Sequence, residues 1–358
     1  MTNATAIHEV VRSKDAIYRG WIRSPSFDLA FLIFPGIVGT AIGLAVIFHP
    51  LGLFIAVAAT FLLGVPHYLS TFTFYLGDDN RAYYLTRPLA FVGVPLAIVA
   101  AVIGLRALHF DTPVILTMFV WNIWHVALQS AGILGIYRRL NGGPDQERLP
   151  AKSALVTTAA AMAFWQPTTF PPLSQLLDGI HAGLYRSLSL ALVTVAVMTT
   201  GWLVYRICRR ARRASFAELS FLAASIALFH PYLWMRDGAQ ATLAMLCGHF
   251  IQYLAIVWLL HARRYATGRH GSVAQVILMR ISSSSVSVLA WIVGSATFVW
   301  ILSRFAAVFG VPMAYIVALN ALSLVHFHLD GQIWAFKQPF VRRTIAPILA
   351  PENRRVVS

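Results

Sequence analysis

Of 358 residues, 58% are hydrophobic and only 11% charged, and the mean hydropathy is +0.69. That is less than half the charged fraction of a soluble globular chain, so a soluble fold is excluded and an all-α, polytopic membrane bundle is expected. The net charge of +15 invites a nucleic-acid partner, but the placement of the charges along the chain argues against one.

Residues 1–27 are polar and hold no small-residue cleavage site before the first apolar run. Ile7, Val10, Val11, Ile17, Tyr18, Trp21 and Ile22 recur at helical intervals, which predicts an amphipathic segment on the cytoplasmic face. Residues 28–336 then carry ten apolar runs: 29–48, 51–76, 88–107, 113–137, 153–172, 184–207, 216–234, 239–262, 285–306 and 312–335. Each is near the ~20 residues that a crossing helix needs. The fifth is the weakest, because its end is rich in proline. A basic tail, 337–358, closes the chain.

With ten crossings, 24 of the 28 Lys and Arg fall on one side; Arg106, Arg186, Arg236 and Arg304 fall on the other. Basic residues are retained on the cytoplasmic side, which predicts cytoplasmic termini in a multi-pass protein of a bacterial-type inner membrane or its equivalent. Residues 142–145 and "RRARR" (209–213) are then cytoplasmic and 170–179 lie outside. The excess charge reads as a topology signal with a secondary attraction to anionic membrane lipids. Arg81, Arg87, Arg138, Arg139, Arg263 and Arg264 could hold an anionic headgroup, although solvated loops are the simpler expectation.

Cys208 and Cys247 cannot build a disulfide framework or a thiolate metal site. No Walker A run, dinucleotide fingerprint or nucleophile elbow is present. The histidines are more informative. His8, His49, His109, His181, His230, His261 and His270 fall in the tail, in loops or near span ends. His67, His125, His249 and His326 fall inside the second, fourth, eighth and tenth spans, which run in the same direction. Counted from the outer ends they lie at one depth, within roughly 9 Å at 1.5 Å per residue. Each shares a polar stripe with its neighbours: Thr60, Gly64 and Thr71 with His67; Asn122 and Gln129 with His125; Thr242, Gln252 and Tyr253 with His249; Ser323 and Asp330 with His326. Asp330 is the one acidic residue well inside a span, and four residues from His326 it can reach the same ion. His328 is about 200° from His326 on a regular helix and shares its face with Gln332, though Gly331 could loosen the turn.

Neutral imidazoles with one carboxylate suit a metal: iron first, with zinc, copper or manganese as alternatives, and one or two ions. His67, His125, His249, His326, Asp330 and His328 are the candidate ligands. Thr71, Asn122, Gln129, Gln252, Tyr253 and Gln332 would hydrogen-bond the ligands and orient them. The chemistry expected of such a site is oxidation (oxygenation, hydroxylation or desaturation) of a lipid or other apolar substrate, with a separate electron donor. The arrangement resembles membrane-embedded, histidine-rich non-haem iron enzymes: lipid hydroxylases and desaturases, and the Brp/Blh-type carotene dioxygenases. "GVPH" at 64–67 is similar to the Gly-x-Pro-His opening of the carotene enzymes. The H-x-x-x-H and H-x-x-H-H motifs of desaturases are missing, as are the paired histidines expected near the end of the carotene enzymes, so the resemblance implies a class and no substrate. Three other readings stay open: a proton-coupled transporter or channel using His and Asp as a relay, a b-type haem electron carrier, and polar residues that only tie helices together.

Overall fold

The computed structural model describes residues 20–165, 182–210, 216–265, 272–308 and 314–350, and every regular element among them is helical. In chain order these are α1 (Pro25–Phe48), α2 (Gly52–Leu76), α3 (Asp78–Leu85), α4 (Leu89–Ala107), α5 (Asp111–Leu140), α6 (Arg148–Ala163), α7 (Ala182–Arg209) and α8 (Phe216–Ala227). They continue as α9 (Pro231–Trp234), α10 (Gly238–Tyr265), α11 (Val273–Ser282), α12 (Ser285–Val308), α13 (Ala314–Ile333), α14 (Pro339–Thr344) and α15 (Ala346–Leu349). His8, His181, His270 and residues 1–19, 170–179 and 211–213 lie outside the described residues.

Among the described residues, eight segments are long and apolar enough to cross a membrane: α1, α2, α4, α5, α7, α8 with α9, α10 and α12. The chain is therefore a multi-pass membrane protein. Two of the ten expected runs are not among the eight. The fifth is represented by α6, which is 16 residues long where it is described. The tenth, α13, is 20 residues long, but Asn320, His326, His328, Asp330 and Gln332 lower its hydropathy.

Burial sorts the spans. In α10 the most apolar stretch is 83% buried, whereas in α4, α7 and α12 it is 11%. α10 is the axis of the bundle, and the other three present apolar surface outward, as lipid-facing helices do. Small residues let helices close on that axis. A Cβ on Gly39 would stand 2.4 Å from the Ala244 carbonyl oxygen, and one on Gly248 2.9 Å from that of Pro35, so α1 and α10 meet backbone to backbone. A Cβ on Gly64 would meet the Phe250 ring at 2.9 Å, which seats α2 on α10 next to His67.

Two spans carry a π-turn at or near their start: Leu29–Ile33 in α1 and Leu89–Gly93 in α4. Both read Leu-Ala-Phe, with a proline four residues after the phenylalanine (Pro35, Pro95). Proline has no N–H, and the wider turn shifts the register, so carbonyls lose their helical partners. Side chains take their place: Gln252 Nε2 donates to Leu32 O at 2.7 Å, His328 Nε2 to Ala90 O at 2.7 Å and Tyr75 OH to Phe91 O at 3.0 Å.

The segments expected as cytoplasmic loops and a cytoplasmic tail are more ordered than that. Residues 78–85 and 273–282 are helices; Ser272 caps α11 by accepting from Gln275 N, and Leu278 buries the apolar side of that helix. Past residue 336, α14 and α15 bury Val341, Ile345 and Leu349 in the main core. Arg263 donates to Ile348 O and Ile22 O, and Arg264 to Thr344 O, so these two arginines bind the chain's own backbone at both ends. Arg210, the second residue of "RRARR", pairs with buried Glu147 at 2.9 Å and buried Glu218 at 2.8 Å, tying α6, α7 and α8.

Candidate metal centre

Four helices deliver five buried ionisable side chains to one point: His67 from α2, His125 from α5, His249 from α10, and His326 and Asp330 from α13. One atom from each of His67, His125 and His249 lies within 4.8 Å of the others, and the same holds for His125, His326 and Asp330. The two triads share His125. Ring centroids are 4.4 Å apart for His67 and His326, 4.8 Å for His67 and His249, 4.9 Å for His125 and His326, and 5.3 Å for His125 and His249.

Local sequence explains the convergence. Pro66 inside α2 and the close approach at Gly64 set His67 against α10. On α13, His326 and Asp330 are one turn apart and both turn inward, with Thr71 and Tyr253 packed between them. His326 Nδ1 is 2.6 Å from Thr71 Oγ1, Thr71 Oγ1 is 2.8 Å from Tyr253 OH, and Tyr253 OH donates to Asp330 Oδ1 at 2.7 Å. One assignment uses each proton once: His326 Nδ1–H donates to Thr71, Thr71 to Tyr253, and Tyr253 to the carboxylate. His326 Nε2 then presents a lone pair toward His67 Nε2 at 2.9 Å and His125 Nε2 at 3.3 Å.

These separations can be tested against a metal. Nitrogens ~2.1 Å from one ion stand about 3.0 Å apart in an octahedron and about 3.4 Å apart in a tetrahedron. The observed 2.9 and 3.3 Å match those edges. The orphaned atoms point the same way. His249 Nδ1 and Nε2, His67 Nδ1 and Asp330 Oδ2 are buried with no hydrogen-bond partner, and Asp330 Oδ2 is 3.9 Å from His125 Nε2. Each such atom costs about 1–3 kcal/mol unless something binds it. The donor set, with nitrogen in excess, one carboxylate and no thiolate, fits a divalent transition metal.

The other expected site residues separate. Thr71 and Tyr253 touch the centre as described. His328, Gln252 and Gln332 do not: the first two close on π-turn carbonyls, and Gln332 Oε1 accepts from Gln338 Nε2 at 3.4 Å. His328 leaves the centre because the helix stays regular through Gly331, so the 200° offset holds. Neither Asn122 nor Gln129 bonds a histidine; Gln129 instead lines a cavity beside His125, its amide atoms without partners. That cavity, about 610 Å³, lies between α5, α10 and α13 and reaches from His125 and Asp330 to a basic rim that includes Arg138, Arg139, Arg148 and Lys152. The i, i+4, i+7, i+14 set His125, Gln129, Gly132 and Arg139 runs along its α5 wall, a stripe that the sequence carries and that reasoning from the histidines alone follows only as far as Gln129.

Comparisons with protein-family models, with curated proteins and with solved structures find no match.

Proposed function

We propose that this chain is a membrane-embedded metalloenzyme whose His67/His125/His249/His326/Asp330 centre holds iron and oxidises a lipid or other apolar substrate. The observation that carries this reading is the convergence of four buried histidines and one carboxylate from four helices, with both His249 nitrogens, His67 Nδ1 and Asp330 Oδ2 left without hydrogen-bond partners. Intramembrane ionisable groups are expensive, and a divalent cation offsets both the desolvated Asp330 and the crowded imidazole lone pairs. Bound iron would supply the activation of dioxygen. For a hydroxylation, one oxygen atom enters a C–H bond and the other leaves as water, using two protons and two electrons from a separate donor. The chain's own residues divide the remaining work. Thr71 and Tyr253 hold His326 and Asp330 in orientation. Trp121, Phe327 and Trp334 line the cavity beside them and keep that side of the centre apolar.

Under the same reading the chain makes ten crossings, with α6 and α13 completing the eight long apolar helices and with both termini cytoplasmic. The Lys and Arg asymmetry supports this. Exposed Cys208, at the end of α7, is a natural reporter: an impermeant maleimide should reach it only from the cytoplasmic side. Labelling from the outside would reverse the orientation.

Metal analysis of detergent-purified protein tests the central proposal. One or two iron ions per chain, lost in Asp330→Asn, are expected; a metal-free protein that supports proton-coupled flux in proteoliposomes would favour a transporter instead. The relay from His326 through Thr71 and Tyr253 to Asp330 is the observation that keeps this second reading alive. A haem has less to support it. Axial nitrogens stand about 4 Å apart across an iron, with the macrocycle between them, whereas His67 and His326 are 2.9 Å apart.

A further inference from the structure

The cavity beside the centre is chemically divided along its length. At the inner end are His125 and Asp330, and among the described residues Asp330 is the only carboxylate in its lining. At the other end are Arg138, Arg139, Arg148, Lys152, Lys337 and Arg342. Trp121, Leu128, Gly132, Ile256 and Phe327 lie along the walls. The two ends are separated by a definite length: His125 and Arg139 are fourteen residues apart on one continuous helix, about 21 Å along its axis. That is somewhat more than the roughly 15 Å that one leaflet's tails span in a ~30 Å hydrocarbon core.

The rim is short of counter-charge. Among the described residues, Arg139, Arg148, Lys152, Lys337 and Arg342 pair with no carboxylate; the ion pairs nearby go to Arg206 and Arg210. Burial, and then the neighbouring Arg148 and Lys337, hold the Lys152 ammonium below its ordinary value, which places these cations in one mutual field. Cations held together at the end of an apolar slot, five of them with no carboxylate partner among the described residues, form an anion site. The slot itself is kept open at Gly132 and Gly331, where a Cβ would meet nothing within 4 Å. Its volume lies within the range of small-molecule sites.

We propose that the cavity binds a single-chain amphiphile with an anionic head, a carboxylate or a phosphomonoester, seated on Arg139, Arg148 and Lys152, with its apolar tail running past Gly132 to His125 and Asp330. The proposal deepens the metalloenzyme reading by naming the class of its substrate; the oxidation of that tail rests on that reading, but the binding does not.

The test uses the full chain in phosphatidylcholine nanodiscs, with oleate, oleyl phosphate and oleyl alcohol as probes and metal content measured on the same samples. The two anions should bind about 30-fold or more tighter than the alcohol. The Arg148→Gln/Lys152→Gln double variant should lose about 30-fold toward the anions, as two cations at ~1 kcal/mol each require, and nothing toward the alcohol. Gly132→Phe should block all three probes while metal content stays unchanged, because the added ring enters open space. If that variant does not fold, the charge pair decides alone. Equal binding of anions and alcohol, or unchanged anion affinity in the double variant, would overturn the proposal even if the protein is full of iron. Charge-selective binding by a wild-type protein without metal would instead sink the metalloenzyme reading and leave this one standing. Competition by dioleoyl phosphatidic acid as strong as that by oleyl phosphate would assign the site to a membrane phospholipid and overturn the single-chain occupant.

Discussion

On α10 and α13, polar side chains two or three residues apart end in opposite ways. Gln252 and His328 reach the π-turns of α1 and α4 and close on carbonyls of those turns, Leu32 O and Ala90 O. His249 and Asp330, on the same two helices, turn to the centre and leave atoms without partners. Both pairs are polar and sit in apolar helices, so residue type does not separate them. What separates them is whether the rest of the chain completes their hydrogen bonds. A completed pair holds helices together and asks for nothing more. An incomplete set, buried and convergent, is stable only to the extent that a ligand completes it.

The sharpest way to break this comparison is Asp330→Asn. The substitution keeps the shape and removes the charge. Metal retained through purification should fall by more than about 100-fold in affinity, beyond the range seen for residues that only orient ligands. The metal-free protein should be no less stable than the wild type, because a buried carboxylate that lacks a cation destabilises the fold. Metal analysis and a thermal melt of the stripped protein read the two halves separately. A stripped variant that melts well below the stripped wild type would make Asp330 a structural residue like Gln252.

Thr71→Val and Tyr253→Phe stand between the two classes. Each removes one link of the relay that orients His326 and Asp330 while leaving every candidate ligand in place. Metal affinity should drop about 10- to 100-fold in each. Equilibrium titration of stripped protein with ferrous iron would show it. Unchanged affinity would mean that the ligands are held by helix packing alone.

Much of the centre is legible from helical spacing. The stripe Thr60, Gly64, His67, Thr71 and the four-residue step from His326 to Asp330 need only a period of 3.6. The collar is not. A π-turn inserts one residue into a helix without disturbing the apolar pattern, so Leu29–Ile33 and Leu89–Gly93 read as ordinary span starts. Without them, Gln252 and His328 have no visible partner and are grouped with the site. Pro95 carries the one available signal: it frees the carbonyl one turn back, Phe91 O, and a nearby polar side chain, Tyr75, meets it. Hydropathy alone leaves α13 out of the eight long apolar segments for a related reason. The side chains that give α13 its chemistry also lower its hydropathy. The docking of α14 and α15 stayed hidden because short, proline-led segments in a basic stretch look like a tail.

Within the collar, Tyr75 and His328 serve the same π-turn but are not equivalent. Tyr75 OH donates to Phe91 O, which in a regular helix would accept from residue 95. Residue 95 is proline, so no rewinding of the turn can replace the lost bond. Tyr75→Phe should therefore destabilise the protein by about 1–2 kcal/mol, the cost of one orphaned buried carbonyl, with metal content unchanged.

His328→Leu should have the smallest effect of all. Its acceptor, Ala90 O, is free only because Val94 N–H bonds Leu89 O in the π register. If His328 is lost, that turn can rewind by one residue, and Val94 N–H then takes Ala90 O as an α-helical partner. The net cost should be about 0.6 kcal/mol, the typical worth of one interhelical hydrogen bond in a membrane protein. Hydrogen exchange at Val94 would report the change of register, and bound metal should match the wild type. A metal loss as large as that of Asp330→Asn would mean that α13 breaks at Gly331 when the ion binds and brings His328 into the centre, which would erase the distinction between the collar and the site.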